Sequence, residues 1–367
     1  MAPSAVSTSN SEPPLRWGIL ATGWISDKFV RDLLLARKSA KASHQLICVG
    51  SSSTEKAGAF VDKIWSEIGS SATKPTALGD YESVFSHPEV DIVYIGTPHA
   101  LHRQNSLDAI AAGKHVLCEK PFTINEREAQ EVFAAAKARG VFVMEGVWTR
   151  FLPIMASLRK MLYEEEVIGH VHRLFCDFGL FMPLSSLPAD SRLKDPNLGA
   201  GALLDIGIYP LTLASMILGE FRVGDDHPPF EVVSSLAVES AIDYQDAVIL
   251  KYLDTNRMAI CTSSLLHKTS NDFCRIEGSE GHITLFGPAA SVPTGLRVKT
   301  KSTDAEKVVE FDREGGMGLF YEADAIALDI KGGRKGNDTM PWAETLRMMR
   351  LLDGIRQAGG VRYPHDE

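Results

Sequence analysis

Chemistry in this chain concentrates where polar residues interrupt or close apolar runs. The stretch Trp17-Gly-Ile-Leu-Ala-Thr-Gly-Trp-Ile-Ser26 joins an apolar strand to a helical pattern. Against the spacing G-x-G-x-x-G/A its three positions are Ala21, Gly23 and Ser26, so only the middle glycine is kept. That is the position where a backbone must approach a pyrophosphate, and the helix that follows offers free N–H groups and the positive end of its dipole. Ala21, Thr22, Gly23, Trp24 and Ile25 are therefore expected on a dinucleotide; the bland reading is an ordinary turn that needs one glycine. A second run ends in Ser51-Ser52-Ser53-Thr54-Glu55-Lys56. A carboxylate there would hold the ribose hydroxyls of NAD, whereas hydroxyls with Lys56 close behind suit the 2′-phosphate of NADP. NADP is expected over NAD, and the competing reading is that the serines cap the next helix.

Two more strand ends carry polar groups. One reads Gly96-Thr97-Pro98-His99, with His102 one turn on; the other reads Cys118-Glu119-Lys120-Pro121. A Glu-Lys pair directly after HVLC is costly to bury without a use, and Pro121 ends the ladder. Lys120 is expected in the crevice as a cation beside a nicotinamide, and Thr97, Pro98, His99, His102 and Glu119 around the cofactor. The two histidines also read as caps or packing residues.

The elements that must position these groups follow from periodicity. LRWGILA, HQLICVGSS, VDIVYIGTP, HVLCEKP and VFVMEGVW are near-continuous apolar strands, as burial on both faces of a parallel sheet requires. Between them lie helical patterns at about 25–36, 54–68, 100–112 and 125–139, the last opened by Asn125 and Glu128 placed as a capping box. This is an α/β class: a doubly wound Rossmann domain over 15–147, after a disordered tail over 1–14. The texture then changes. A helix near 153–165, the strand VHRLFCDFGLFM, a helix within 201–218 and strand-like runs from 230 to 311 imply an α+β domain over 148–367 with a large, mostly antiparallel sheet. Two helices, near 319–331 and 342–358, finish it.

Composition bounds the partners. The 367 residues hold 38 Lys and Arg against 47 Asp and Glu, a net charge of -9, which argues against a general nucleic-acid binder. No apolar run is seen to approach the roughly 18 residues that span a bilayer, so no membrane role is expected. Five scattered cysteines without CxxC spacing read as buried hydrophobes in a reducing compartment, with no structural zinc. MAPSAVSTSNSEPP has neither a basic start nor an apolar stretch, which leaves the cytoplasm as the expected location.

GTPHALH, AAGKHVLCEKP and LLDIGIYP together resemble the glucose–fructose oxidoreductase/inositol dehydrogenase/rhizopine-catabolism superfamily. MEGVWTRFLP and TMPWAETLRMMRLLDGIR resemble its dimeric dihydrodiol dehydrogenases and fungal NADP-dependent D-xylose dehydrogenases. The resemblance implies that Lys120 binds near the nicotinamide and the reacting hydroxyl, and that Asp205 and Tyr209 complete the polar cluster. The latter two stand i and i+4 on an expected helix, hence on one face. The implied reaction is oxidation of a cyclic sugar hydroxyl, with Tyr209 as base and its pKa lowered by the Lys120 ammonium; Lys120 and Tyr209 could exchange roles. Asp205 would orient the sugar or the lysine. Trp148, Arg150 and Phe151 are expected on the substrate side, or packed at the domain junction. Alternatives within the family are a trans-dihydrodiol dehydrogenase or a carbonyl reductase. A non-catalytic sugar sensor and a scaffold using the sheet are readings from other classes. The open sheet face is expected to form a homodimer.

Overall fold

The computed structural model describes residues 13–69, 73–303 and 305–366. The expected tail lies almost wholly outside them. The first unit runs β1 (Leu15–Leu20), α1 (Trp24–Leu33), β2 (His44–Gly50), α2 (Thr54–Ile68), β3 (Thr76–Leu78), α3 (Glu82–Phe85), β4 (Ile92–Ile95), α4 (His102–Ala111), β5 (His115–Glu119), α5 (Glu126–Arg139) and β6 (Val143–Gly146). Its six strands are all parallel, in the order β3-β2-β1-β4-β5-β6. The order reverses between β1 and β4, which opens a crevice at the carboxyl ends of the strands. Pairing of Leu20 with Gly50 and Ile95, and of Ile95 with Cys118, brings four strand ends into one row. Ala21, Ser51, Gly96 and Glu119 each stand one residue beyond it.

Local chemistry explains several boundaries. Asn125 accepts from Glu128 N–H at 3.0 Å, as the capping pattern predicts, while the Glu128 carboxylate accepts from Ile124 N–H rather than from its cap. Helix α1 stops at Leu33, short of the expected 36. The short elements β3 and α3 escaped the sequence reading because three- and four-residue pieces carry no periodicity.

The second unit holds α6 (Pro153–Tyr163), β7 (Val171–Gly179), a π-helical turn Leu203–Gly207 leading into α7 (Ile208–Leu218), and β8 to β14. These strands are Phe230–Glu239, Ile242–Tyr252, Met258–Ser264, Asp272–Gly278, Gly281–Phe286, Gly295–Thr300 and Glu306–Glu310. They form an eight-stranded sheet, β14-β13-β12-β11-β7-β10-β9-β8, antiparallel except for the β7–β10 pair. Burial alternates along β9 and β10, so one face packs on α7 and the other is open. Contrary to the hydropathy reading, Pro196–Leu218 is long and apolar enough to cross a membrane. Its apolar window is entirely buried inside the protein, so this hydropathy serves the core.

The last helices, α8 (Phe320–Lys331) and α9 (Trp342–Ala358), return to the first unit. The Asp32 carboxylate on α1 accepts from the N–H groups of Met317, Gly318 and Leu319 at 2.7–2.8 Å, filling orphan donors where α8 begins. Asp324 on α8 pairs with buried Arg37 at 2.7 Å and with His44 at 2.9 Å.

Candidate active site

The turn after β1 has the shape that a bound pyrophosphate would need. Ala21 takes φ 70, the left-handed conformation that glycine at this fingerprint position would adopt freely. A Cβ built on Gly23 would meet nothing within 4 Å, which leaves open space over the start of α1. The glycine missing at Ser26 is replaced across the interface. A Cβ on Gly96 would stand 2.5 Å from Ser26 Oγ, so the residue just after β4, rather than α1, surrenders the side chain for close packing. Thr22 and Ser51 hydroxyls meet at 3.3 Å. Ser53 does cap α2, accepting from Lys56 N–H. Ser52 and Lys56 remain at the surface with Nζ 3.0 Å from Oγ, an ammonium and a hydroxyl that fit a 2′-phosphate. Glu55 is drawn to its own backbone N–H and the Ser53 hydroxyl, which hold its carboxyl below the usual range. Trp24 is 65% exposed beside this cradle. These residues fit a dinucleotide.

The polar cluster lies at the next strand ends. Lys120 Nζ donates to the Asp205 carbonyl at 2.5 Å and stands 3.7 Å from Asp205 Oδ1. It also lies 5.1 Å from the centroid of the Tyr209 ring. The π-helical turn carries Asp205 and α7 carries Tyr209, so the i, i+4 pair is not on one regular helix, yet Lys120 joins the two. Oδ1 also accepts from Arg192 Nη2 at 3.0 Å and faces His99 Nε2 at 3.7 Å. Burial opposes the Asp205 charge, but the Lys120 and Arg192 cations outweigh it and hold the carboxyl well below its ordinary range. Arg192 was missed by the sequence reading. It sits among short 3-10 turns between residues 184 and 198, where no periodicity marks a basic residue as pointing inward.

Tyr209 departs from expectation. Burial, followed by the Glu119 carboxylate, pushes its pKa well above 10, against the Trp148 indole N–H that donates to its oxygen at 3.0 Å. The Lys120 ammonium, over the ring face at 5.1 Å from its centroid, does not offset this rise.

Other expected residues divide. Trp148 joins the cluster through Tyr209. Arg150 does not: it is buried against α9, donating to Glu344 at 2.9 Å and to the Thr339 carbonyl at 3.0 Å. Phe151 packs on the core. Glu119 turns into the sheet, accepting from Tyr94 at 2.7 Å, and burial pushes its carboxyl up to about 7. His99 lies beside Asp205 in the polar cluster rather than at the turn after β1. His102 staples two strand ends, with its ring nitrogens 2.9 Å from the carbonyls of Pro121 and Thr97. Burial brings its pKa down to about 4, so the neutral ring donates one of these bonds at a time. Pro98 opens the turn that carries His99, and Thr97 accepts from Asn105 at 3.0 Å.

Known proteins carry the same organisation. The model of an oxidoreductase family with an NAD-binding Rossmann fold matches residues 15–147. That of the GFO/IDH/MocA C-terminal domain matches 156–284. The D-xylose 1-dehydrogenase (NADP(+)) of Hypocrea jecorina is 34% identical, across 95% of this chain and 93% of that enzyme. The trans-1,2-dihydrobenzene-1,2-diol dehydrogenase of Sus scrofa is 33% identical, across 96% and 99%. A 3-ketoreductase from Actinomadura kijaniata, crystallised with NADP and TDP-benzene, shares the fold at a TM-score of 0.78 and 23% identity, over 94% of this chain and 98% of its own. The chain belongs to the Gfo/Idh/MocA family of oxidoreductases.

Proposed function

We propose that this protein is an NADP-dependent dehydrogenase that oxidises the anomeric hydroxyl of a cyclic aldose, D-xylose or a similar sugar, to the lactone. The observation that carries the reading is the convergence of Lys120 and Arg192 on the Asp205 carboxylate, with Tyr209 under the lysine, one row from the phosphate cradle. When bound, the oxidised nicotinamide supplies the hydride acceptor. Lys120 directs an N–H at the reacting oxygen and Asp205 fixes that ammonium in place. Tyr209 Oη, in the phenolate form that the Trp148 indole N–H stabilises, takes the hydroxyl proton. Ser52 and Lys56 at the end of β2 favour NADP over NAD.

Reduction of a carbonyl, or oxidation of a trans-dihydrodiol, is a second reading. It is supported by the diol-dehydrogenase relatives and by the neutral Tyr209 phenol, which is the proton-donating form. Incubation with NADP or NAD and a panel of aldoses and trans-dihydrodiols, with the reverse reaction on the corresponding carbonyls, tests both. Formation of NADPH with an aldose supports the first reading, and turnover only of diols or carbonyls selects the second. Turnover with NAD alone overturns the cofactor assignment. Silence across the panel despite tight cofactor binding would leave a sensor. We further propose a homodimer through the open face of the eight-stranded sheet; a light-scattering mass of a single 40.1 kDa chain overturns it. A reducing, cytoplasmic setting suits five cysteines that are all unpaired and buried.

A further inference from the structure

His99 has a fixed tautomer. Its Nδ1 stands 3.1 Å from the Gly199 carbonyl, which has no proton to give, so Nδ1 carries the ring hydrogen. Gly199 makes this approach possible: it sits at φ +72, and a Cβ there would meet Ile124 Cδ1 at 2.3 Å and His99 Cβ at 3.2 Å. The ring is steadied edge-on against His102, centroids 5.8 Å apart. Burial, followed by the Arg192 cation, holds His99 neutral. Its Nε2 therefore presents a bare lone pair.

That lone pair faces a second acceptor. Nε2 and Asp205 Oδ1 are 3.7 Å apart, too far for a hydrogen bond and, with the ring hydrogen on Nδ1, with no proton between them. The same oxygen also faces a donor, Lys120 Nζ, at 3.7 Å. A donor and a pair of acceptors arranged about one oxygen complement two hydroxyls on adjacent carbons. The oxygen being oxidised accepts from Lys120, while its neighbour donates to the imidazole.

We propose that His99 determines specificity by accepting, at Nε2, a hydrogen bond from the hydroxyl adjacent to the one oxidised, so that the substrate class is vicinal diols. For an aldose these are the hydroxyls at C1 and C2. The inference rests on the dehydrogenase reading above and assigns His99 to the substrate rather than to the cofactor.

The test measures kcat/KM with NADP for D-xylose and its 2-deoxy analogue, in the wild type, His99→Leu and His99→Gln. A single neutral hydrogen bond discriminates about tenfold. The wild type is expected to prefer D-xylose over the analogue by about that factor. His99→Leu should lose about tenfold on D-xylose and less than threefold on the analogue. His99→Gln, which keeps an acceptor, should recover part of the preference. NADPH binding followed by fluorescence, unchanged in both variants, shows that the cofactor domain is intact. Equal losses on the two sugars, or a wild type indifferent to the 2-hydroxyl, overturn the role of His99 and leave the dehydrogenase standing. No oxidation of any aldose or trans-dihydrodiol by the wild type overturns the dehydrogenase reading itself, and the vicinal-diol assignment with it.

Discussion

Tyr209 makes the sharpest prediction, because its environment opposes the task assigned to it. The phenol ordinarily titrates near 10, and burial with the Glu119 carboxylate moves it higher. At pH 7 the phenolate fraction is then below about 10⁻³, and it grows tenfold with each pH unit. If Tyr209 Oη takes the hydroxyl proton, kcat/KM for aldose oxidation should climb about a hundredfold from pH 7 to pH 9 and keep rising through pH 10. Trp148 supplies the one opposing influence from a hydrogen bond, the indole N–H at 3.0 Å. A hydrogen bond to a charged oxygen contributes about 1.5–3 kcal/mol. Trp148→Phe should therefore displace the rise toward higher pH by roughly one to two units. Tyr209→Phe should lower kcat by about 10²–10⁴ and flatten the profile. The assay is the initial rate of NADPH formation from pH 6 to 11, with intrinsic fluorescence checking the fold at each pH. A wild-type plateau below pH 8.5, or a Tyr209→Phe variant that keeps the wild-type slope, refutes the assignment.

Four other perturbations follow from named contacts. Glu119 is raised by burial to about 7 from an ordinary 4.5, so its contribution to stability is complete below pH 4.5 and is lost as pH rises through 7. Glu119→Gln should accordingly melt higher than wild type at pH 8, by up to about 3 kcal/mol in stability, and show no such gain at pH 4.5; equal differences at the two pH values would sink this reading. Lys56→Glu should raise KM for NADP about 10- to 100-fold and leave KM for NAD within twofold, since one charge-assisted bond to the 2′-phosphate is replaced by repulsion. Arg192→Met removes the 3.0 Å bond to Asp205 from a side chain that is 43% exposed. It should lower kcat/KM about tenfold with little change in Tm, as a half-exposed pair contributes modestly to folding. Arg356 is fully buried between Asp353 and Asp366 at 2.7–2.8 Å, and Arg356→Met should cost about 3–5 kcal/mol, read from denaturant unfolding.

Sequence periodicity reports that a residue is buried, and strand ends report where a crevice must open. That is why the parallel sheet, its switch point and Lys120 were legible, as were the antiparallel strands with their turns. Periodicity does not report what a buried polar group meets. Trp148 and Arg150 lie two residues apart on one short turn, yet Arg150 reaches Glu344 on α9 and Trp148 reaches Tyr209. The partner in the first case is 194 residues away. The Asp32 carboxylate filling the donors that open α8 spans 285 to 287 residues, with no local signature at either end. The role of Ser26 was similarly hidden: the missing side chain belongs to Gly96, just past the end of β4, and a fingerprint read along one segment cannot see a substitution made across an interface. Arg192 was invisible for the opposite reason, since an arginine in a turn-rich stretch is ordinarily a solvated surface residue.

The charges of the site are sorted by face, and this separation accounts for both the carboxylate and the tyrosine. On the crevice side, Asp205 remains ionised despite burial because Lys120 and Arg192 reach the same oxygen. Inside the fold, Glu119 has a tyrosine hydroxyl for its only hydrogen-bonded side chain, and Glu322 is buried with neither oxygen bonded to any group among the described residues. Burial pushes both of these carboxyls upward, Glu322 strongly. Tyr209 stands between the two sets, with Lys120 across its ring and Glu119 and Glu322 among the charges that raise it. A phenol so placed keeps its proton at neutral pH, and a further positive charge on the crevice side or a neutral interior carboxyl eases its loss. Neutralising Glu119 as glutamine should then ease Tyr209 deprotonation and move the alkaline rise in oxidation to lower pH. An unchanged profile in that variant would mean that burial alone governs the phenol.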